Sequence, residues 1–379
     1  MEITAQRQGD ALTLHLKGRL DMSTAAILER ALELEGVREL TLDLDHCPYI
    51  SSAGLREIMR AQKQLARSGG GVTLINVARD VQEVLDVTGF SKLLVTRPKR
   101  REITIADKEF LSAGVCGECY RLDPETIVKL YNEGVTPDIA EKEKAYAKAA
   151  FIAGIPTAIS YDVVACGNRT GVIYEMLEAT QFSAIIRKDL DHLETHGKTL
   201  ANIAKGIHEA VADPTVFPDI KDNFRGYIRQ MDFFLSEKEI AFLLERLENI
   251  PDAESTVHFD LHTSNIMIRQ GEPVIIDMGD VSRGHYLFDI GLICAIYGYP
   301  ELKTCEMVTK IPSAEGAVLC EHFLHHYFAD KPAQERAFFE RNRHFLASLR
   351  LIYTITFLPA LRDQLAATIK DVLLPKMAA

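Results

Sequence analysis

The chain has 379 residues, 47% of them hydrophobic, so it is long enough to bury two or more cores. Its formal net charge is −11, from 54 acidic and 43 basic residues, which argues against nucleic acid or an anionic membrane as main partner. Charge interrupts the apolar stretches at the N-terminus, unlike a signal peptide, and no apolar run approaches the roughly 18 residues of a membrane span. We expect a multidomain cytoplasmic protein.

The first part of the chain has the pattern of a small α/β domain. Alternating apolar residues predict a hairpin that turns near Gly9 and Asp10, and VRELTLDLDHC predicts a more buried strand. Helices are predicted in MSTAAILERALEL and from Ser51 and Ser52 onward, where the run of glycines ends the second helix. The strand VTLINV and the helix DVQEVLDVTGF complete a domain over residues 1–96.

The chain then changes character. TRPKRREIT contains four basic residues and a proline, which predicts a solvated linker over residues 97–104. Short strands are predicted over residues 103–131 and a helix over residues 138–153. A second pair of strands, in AISYDVVACGNRTGVIYEML, precedes a long region that is mostly helical.

The cysteines and histidines do not have the spacing of a known metal-binding motif. The seven cysteines are an odd number spread along the chain, which fits reduced thiols better than a disulfide framework. Cys116 and Cys119 form a CxxC pair, but no second pair follows at zinc-site spacing. His322, His325 and His326 share a helical face without a carboxylate or thiol at ligand spacing. Packing or surface roles are the simpler interpretation for all five residues.

The stretch VHFDLHTSNIMIRQGEPVIIDMGD places acidic residues after two apolar runs. His258, Asp260 and Asn265 have the spacing His-x-Asp-x-x-x-x-Asn, and Asp277 ends the second run. In phosphoryl transfer from a nucleotide, one carboxylate orients the acceptor hydroxyl, and an Asn and a second Asp hold Mg²⁺ on the phosphates. The alternative is a buried strand pair with incidental acids, because Asp is common at strand ends.

Earlier segments offer the remaining parts of such a site. FLSAGVCGECYRLDPETIVKLY predicts a hairpin with Gly114 and Gly117 in its turn and Lys129 on the return strand, as a phosphate-covering loop and its lysine require. The loop has Gly-x-x-Gly in place of the fuller Gly-x-Gly-x-x-Gly. Lys129 needs a carboxylate partner, and the next helix carries Glu141 and Glu143. The alternative for either glutamate is a surface pair with a nearby lysine.

On these motifs, the chain from residue 105 resembles the aminoglycoside phosphotransferase and choline kinase-like superfamily, relatives of the protein kinases. The resemblance implies an α+β bilobal fold, with an N-lobe over residues 105–178 and a mostly helical C-lobe over residues 179–379. It also implies ATP and Mg²⁺ as cofactors and a small molecule or a protein as hydroxyl acceptor.

The resemblance also implies a role for each motif residue. The distance to the turn GIPT favours Glu143 over Glu141 as the partner of the lysine. Carried over, Asp260 is the catalytic base, His258 and Asp289 hold its loop, and Asn265 and Asp277 bind Mg²⁺. The phosphates are contacted or oriented by Gly114, Gly117, Lys129 and Glu143. Adenine is bound at the hinge around Glu175 and Leu177.

Residues 1–96 resemble the STAS domain, the sulphate transporter and anti-sigma factor antagonist fold, through YISSAGLREIMRA and GRLDMSTA. The resemblance implies docking of an anti-sigma factor or a kinase, regulated by phosphorylation at this helix start. Against the pattern Asp-Ser-Ser/Thr-Gly-Leu, Ser51 stands at the Asp, Ser52 at the first hydroxyl and Ala53 at the second. Ser52 and Ser51 are candidate phosphorylation sites; the alternative is a helix N-cap in a constitutive docking module.

The leading hypothesis is an ATP- and Mg²⁺-dependent phosphotransferase with a STAS module for regulation or docking. The alternative is a non-catalytic signalling protein of the anti-sigma factor antagonist type, whose kinase-like part only binds nucleotide. A third possibility places the acceptor within the chain, at Ser51 or Ser52. The C-terminal helices, including EHFLHHYF, do not identify the acceptor.

Overall fold

The protein is described by a computed structural model over residues 1–378. It divides into two compact units, Met1–Glu102 and Ile103–Ala379. Each unit has a hydrophobic core of its own. Within the described residues, no helix is both long enough and apolar enough to cross a bilayer.

The first unit is a five-stranded sheet with the strand order β1-β2-β3-β4-β5. β1 and β2 form the predicted antiparallel hairpin, and the later strands are parallel to β2. Alternate strand residues such as Leu14, Leu42 and Leu74 are fully buried and share a core with the helices, which confirms the predicted α/β fold. The elements are β1 Glu2–Gln8, β2 Ala11–Lys17, α1 Ala25–Ala31, β3 Glu39–His46, α2 Ser52–Ala66, β4 Gly71–Val77, α3 Arg79–Val87 and β5 Val95–Pro98.

The segment predicted as a solvated linker is partly strand. β5 pairs in parallel with β4, and Pro98 lies opposite Val77 at its end. A second short strand, β6 (Arg101–Glu102), follows almost at once. Proline is compatible with β5 because β5 is an edge strand of the sheet. The basic segment therefore lies at the boundary between the two units, but part of it is β-strand.

The second unit begins with an antiparallel sheet in which the strands are adjacent in the order β10-β11-β9-β8-β7. The helix predicted over residues 138–153 is present one residue earlier, with Pro137 in its first turn, where a proline costs no hydrogen bond. The elements are β7 Glu109–Ala113, β8 Gly117–Arg121, β9 Thr126–Tyr131, α4 Pro137–Ile152, β10 Ser160–Cys166 and β11 Arg169–Glu175.

The rest of this unit is mostly helical, which confirms the predicted α+β fold. Two small sheets, β12-β14-β15 and β13-β16, interrupt the helices and carry the motif loops. The elements are β12 Thr180–Gln181, α5 Phe182–Lys188, α6 Leu193–Glu209, α7 Ile220–Arg229, α8 Glu237–Glu248, β13 Thr256–Val257, β14 Ile266–Arg269, β15 Glu272–Ile275, β16 Ser282–Arg283, α9 Leu287–Tyr297, α10 Thr304–Thr309, α11 Ser313–Tyr327, α12 Ala333–Phe357, α13 Arg362–Ala367, a π-helix Thr368–Leu373 and α14 Leu374–Ala378.

Helix α9 is the centre of the helical core, because every one of its residues is buried. It packs against α12, and the two helices approach closely at Gly291: a Cβ atom there would lie 2.4 Å from Cβ of Leu346. The small residue therefore sets the separation of the two helices. Both helices carry side chains of the candidate site described below.

We expect Gly291→Ala to lower the free energy of unfolding by about 1–3 kcal/mol, because the added methyl group overpacks the contact between α9 and α12. The matched control is Gly206→Ala in α6, where an added Cβ meets no atom within 4 Å. Alanine there should raise stability by about 0.5–1 kcal/mol, because glycine is a poor helix former. Urea unfolding followed by circular dichroism compares the two variants, and equal effects would contradict the close packing at Gly291.

Candidate active site

Lys129 on β9 is held between two carboxylates. Its Nζ donates to Oε1 and Oε2 of Glu143 at 2.9 and 3.0 Å, and to Oδ1 of Asp277 at 2.8 Å. The lysine side chain is 15% exposed and that of Glu143 is 6% exposed. Burial lowers the pKa of Lys129, but the charges of Asp277 and Glu143 outweigh it and raise the pKa well above its usual value. Lys129 is therefore a permanent cation.

Glu143 on α4, the glutamate favoured from the sequence, is the residue in contact with Lys129. Its two oxygens also accept hydrogen bonds from the phenols of Tyr131 and Tyr174. Burial, and next the charge of Glu143, raise the pKa of both tyrosines, so both remain hydrogen-bond donors. The carboxylate is thereby fixed in the orientation that holds Lys129.

Gly114 and Gly117 lie at the two ends of the turn between β7 and β8. The amide of Gly114 donates to the carbonyl of Gly117 at 2.8 Å. A Cβ atom on Gly117 would lie 2.2 Å from the carbonyl oxygen of Leu130, so the close approach of β9 requires glycine there. Gly114 has open space around it. Asn132 anchors the tip of the turn by donating to the carbonyl of Val115 at 2.8 Å.

Asp260 lies in the loop between β13 and β14 and is 17% exposed. Its Oδ1 accepts a hydrogen bond from Nη2 of Arg350 at 2.7 Å, and its Oδ2 accepts one from Nδ2 of Asn265 at 2.9 Å. Burial would raise its pKa, but the charge of Arg350, followed by the contact with His262, holds the pKa well below its usual range. Asp260 is thus an ionised carboxylate with both oxygens oriented.

The backbone of this loop is held by Asp289, which lies on α9 and is fully buried. Phe259 has φ = 56°, a left-handed conformation that is unfavourable for a large side chain. Asp289 accepts hydrogen bonds from the amides of His258 at 2.9 Å and Phe259 at 2.7 Å. In the tautomer that satisfies all contacts, His208 donates to Asp289 at 3.0 Å and accepts from Tyr327 at 2.7 Å.

His258 links the loop to the end of β15. Its Nδ1 accepts from the amide of Asp260, and its Nε2 donates to the carbonyl of Ile276, both at 3.2 Å. The ring is fully buried. Its position therefore suits support of the loop rather than contact with a substrate.

Asn265 and Asp277 are the candidate Mg²⁺ ligands. Nδ2 of Asn265 is used by the backbone and side chain of Asp260, which orients its Oδ1 as the remaining acceptor. Asp277 has φ = 65° and is 41% exposed. The amide of Ile276, the residue before Asp277, donates to the carbonyl of Asn265 at 3.0 Å. This backbone hydrogen bond links the segments that carry the two candidate ligands. This set of hard oxygen donors fits Mg²⁺, which takes few protein ligands and completes its shell with phosphates and water.

The candidate hinge follows β11. The side chain of Glu175 is a brace: its Oε1 accepts from the amide of Ile159 at 2.9 Å, and its Oε2 accepts from Arg269 at 3.3 Å. The amide of Met176 donates to the carbonyl of Glu125 at 2.7 Å. The side chain of Glu175 therefore has structural contacts, and the backbone around Leu177 is the remaining part of the candidate hinge.

Three residues of this centre were not identified from the sequence. Arg350 contacts Asp260 directly, and Tyr353 donates a hydrogen bond to Asp280. Burial, and next the charge of Asp260, raise the pKa of Asp280 to about 6. Asp280 stands only three residues after Asp277 and was visible in the motif. Arg350 and Tyr353 lie in an ordinary amphipathic helix, and no sequence pattern marks them.

The candidate phosphorylation sites of the first unit differ in exposure. Ser51 occupies the N-cap position of α2, but its side chain makes no capping hydrogen bond, and its buried Oγ has no partner among the described residues. Ser52 is exposed as the first residue of the helix. A Cβ atom on Gly54 would lie 2.5 Å from Cγ of Leu20, so the glycine of the motif is required by packing.

The raised pKa of Asp280 predicts an unusual pH dependence of stability. The Asp280 carboxyl keeps its proton up to about pH 6 in the folded protein, whereas it loses it near pH 3.8 in the unfolded chain. The free energy of unfolding therefore decreases as the pH rises from 3.8 to about 6. Asp280→Asn should flatten this loss and stabilise the protein by about 1–2 kcal/mol at pH 7.5. The exposed Asp232→Asn serves as control. Thermal unfolding from pH 4 to 8 measures the difference; parallel curves for wild type and Asp280→Asn would contradict it.

Comparison with known proteins extends these observations to both units. A model of the family described as "Phosphotransferase enzyme family" matches residues 111–338, and a model described as "Mlab, STAS domain" matches residues 3–96. BtrV of Bordetella bronchiseptica, which is named as an anti-sigma factor antagonist, is 32% identical over 114 residues, covering 29% of this chain and 98% of BtrV.

Similar solved structures include the streptomycin-ATP-APH(2")-IIa ternary complex, with 15% identity, a TM-score of 0.48 and coverage of 72% of this chain and 93% of that chain. A choline/ethanolamine kinase family protein from Mesorhizobium loti has 13% identity, a TM-score of 0.47 and coverage of 72% and 90%. The two resemblances inferred from the sequence are confirmed by the family models. The chain belongs to the phosphotransferase enzyme family and carries an N-terminal STAS domain.

Proposed function

We propose that the second unit transfers the γ-phosphoryl group of ATP, in the presence of Mg²⁺, to a hydroxyl group of an acceptor. The observation that carries this proposal is the cluster in which Lys129 bonds to both Glu143 and Asp277. A lysine oriented by a helical glutamate beside a metal-binding aspartate is the arrangement that nucleotide phosphates require. A purely structural ion pair would not need a second carboxylate that is 41% exposed.

On the nucleotide side, Glu143 orients the ammonium of Lys129 so that it can contact phosphate oxygens. The turn from Gly114 to Gly117 covers the phosphates with backbone amides. Asn265 and Asp277 would hold Mg²⁺, and the ion would neutralise the negative charge that develops on the phosphates. The backbone around Leu177 would bind adenine.

On the acceptor side, Asp260 orients the hydroxyl and receives its proton. The low pKa of Asp260 makes it a weak base, so early removal of the proton is disfavoured. A loose, largely dissociative transition state needs little deprotonation before the phosphoryl group moves. Asp260 therefore contributes chiefly by orientation, which agrees with the fixed positions of both its oxygens.

The STAS domain is proposed to dock a protein partner, an anti-sigma factor or a kinase, that localises or regulates the reaction in the cytoplasm. The similarity to BtrV supports this class of partner. The acceptor is proposed to be either an external hydroxyl compound or a protein serine. Within the chain itself, Ser52 is the better candidate, because it is exposed whereas Oγ of Ser51 is buried.

The first test is incubation of the purified full chain with Mg·ATP, with intact mass and ADP release recorded beside an Asp260→Asn variant. We expect ADP release by the wild type, with water or a protein hydroxyl taking the phosphoryl group. The variant should lose this activity by at least about 100-fold, because the amide no longer pairs with Arg350, which orients the side chain, and cannot receive the proton. A gain of one phosphoryl group that maps to Ser52 identifies an internal acceptor. Equal turnover by both proteins would contradict the role of Asp260.

A second test concerns the nucleotide site alone. Lys129→Met should weaken binding of Mg·ATP by about tenfold or more, because a charge-assisted contact to the phosphates is lost. Lys148→Met on the exposed face of α4 is the control and should bind as the wild type. Isothermal titration measures both, with circular dichroism to show that each variant is folded. Unchanged affinity in Lys129→Met would place the nucleotide elsewhere.

A further inference from the structure

Helix α12 reaches into the candidate active site through Arg350. Its Nη2 lies 2.7 Å from Oδ1 of Asp260, and its Nη1 lies 3.3 Å from the carbonyl oxygen of Phe259. The side chains of Arg350 and Asp260 are 19% and 17% exposed, so the ion pair is largely shielded from water. A shielded, hydrogen-bonded pair holds its geometry more firmly than a surface pair does.

The same helix makes a second contact one turn later. Tyr353 follows Arg350 by three residues and so projects from the same face of α12. Its hydroxyl donates to Oδ1 of Asp280, and its ring also contacts Phe259, with centroids 5.4 Å apart. One face of α12 therefore contacts the carboxylates of Asp260 and Asp280 and the ring of Phe259.

These contacts complement those of Asp289. Asp289 binds the amide of Phe259, whereas Arg350 binds its carbonyl, so this left-handed residue is held from both sides. Asn265 binds Oδ2 of Asp260, whereas Arg350 binds Oδ1. Without Arg350, Oδ1 loses this contact, and the carboxylate is held only through Oδ2, by Asn265 and by His262 at 3.6 Å.

We propose that Arg350 is a positioning residue for phosphoryl transfer, acting through Asp260, and that Tyr353 supports it by fixing the neighbouring Asp280. This inference rests on the proposed function. The carboxylate of Asp260 has about four lone-pair sites. Arg350 and Asn265 each occupy one on a different oxygen, which orients the remaining sites for the acceptor hydroxyl. Arg350 contributes orientation of the reacting groups, whereas Lys129 contributes charge at the phosphates.

The test compares ADP release from Mg·ATP, with water as the acceptor of the phosphoryl group, by the full chain with that of Arg350→Met, Arg350→Lys and Tyr353→Phe. The control is Arg336→Gln on the same helix, a residue that is 45% exposed and 3.9 Å from Glu340. We expect Arg350→Met to lower kcat by about 10- to 100-fold with KM for Mg·ATP changed by less than about threefold. Arg350→Lys should recover part of kcat, because the ammonium can still pair with Asp260.

A merely structural role has a different signature. Equal losses in Arg350→Met and Arg350→Lys, with KM rising in parallel, would overturn the inference, as would a kcat for Arg350→Met within about twofold of Arg336→Gln. Circular dichroism at the assay temperature verifies that each variant is folded, and Tyr353→Phe, which deletes one hydroxyl, provides a milder second variant. Absence of ADP release by the wild type, together with absence of Mg·ATP binding in isothermal titration, would instead reject the proposed function, and the inference with it.

Discussion

The carboxylate of Asp289 holds the loop from His258 to Asn265 in a conformation that its own residues disfavour. A left-handed φ at Phe259 costs on the order of 1–3 kcal/mol, whereas each hydrogen bond to a charged group contributes about 1.5–3 kcal/mol. The two amide contacts from His258 and Phe259 therefore outweigh the strain. The carboxylate is itself buried in α9 and bonded to His208, so the orientation of Asp260 depends on the packing of the helical core.

The charged groups of the site are held in two ways. Glu143 and Asp277 hold Lys129, and Arg350 holds Asp260, through opposite charges, whereas Asp280 accepts a hydrogen bond from the neutral phenol of Tyr353. Burial of an unpaired carboxylate would be unfavourable, so each partner stabilises the folded protein as well as orienting the site. Asp277 is the most exposed member at 41%, which suits its proposed role as a metal ligand that exchanges a lysine contact for the ion.

At the start of α2 in the STAS domain, some residues are required by the hydrophobic core and others are not. Gly54 and Leu55 are explained by the core, since Gly54 lies against Leu20 and Leu55 is 2% exposed. Ser51 and Ser52 are not required by capping, because the N-cap side chain makes no hydrogen bond to the helix. A phosphate at an exposed helix start would add up to two negative charges beside free backbone amides. Ala53 removes the second hydroxyl of the pattern and leaves Ser52 as the accessible one.

The α/β class of the first unit, the order of the motifs and the spacing from His258 to Asn265 could be predicted from the chain alone. Apolar periodicity and short-range spacing encode these features, because both depend on residues near each other in the chain. The α+β class of the second unit followed instead from the family resemblance of its motifs. The structure was needed to show that Lys129 also contacts Asp277, that the segment around Pro98 is an edge strand, and that Arg350 and Tyr353 join the site. Arg350 lies 90 residues from Asp260, and their contact depends on how closely α9 and α12 pack, which no local pattern specifies.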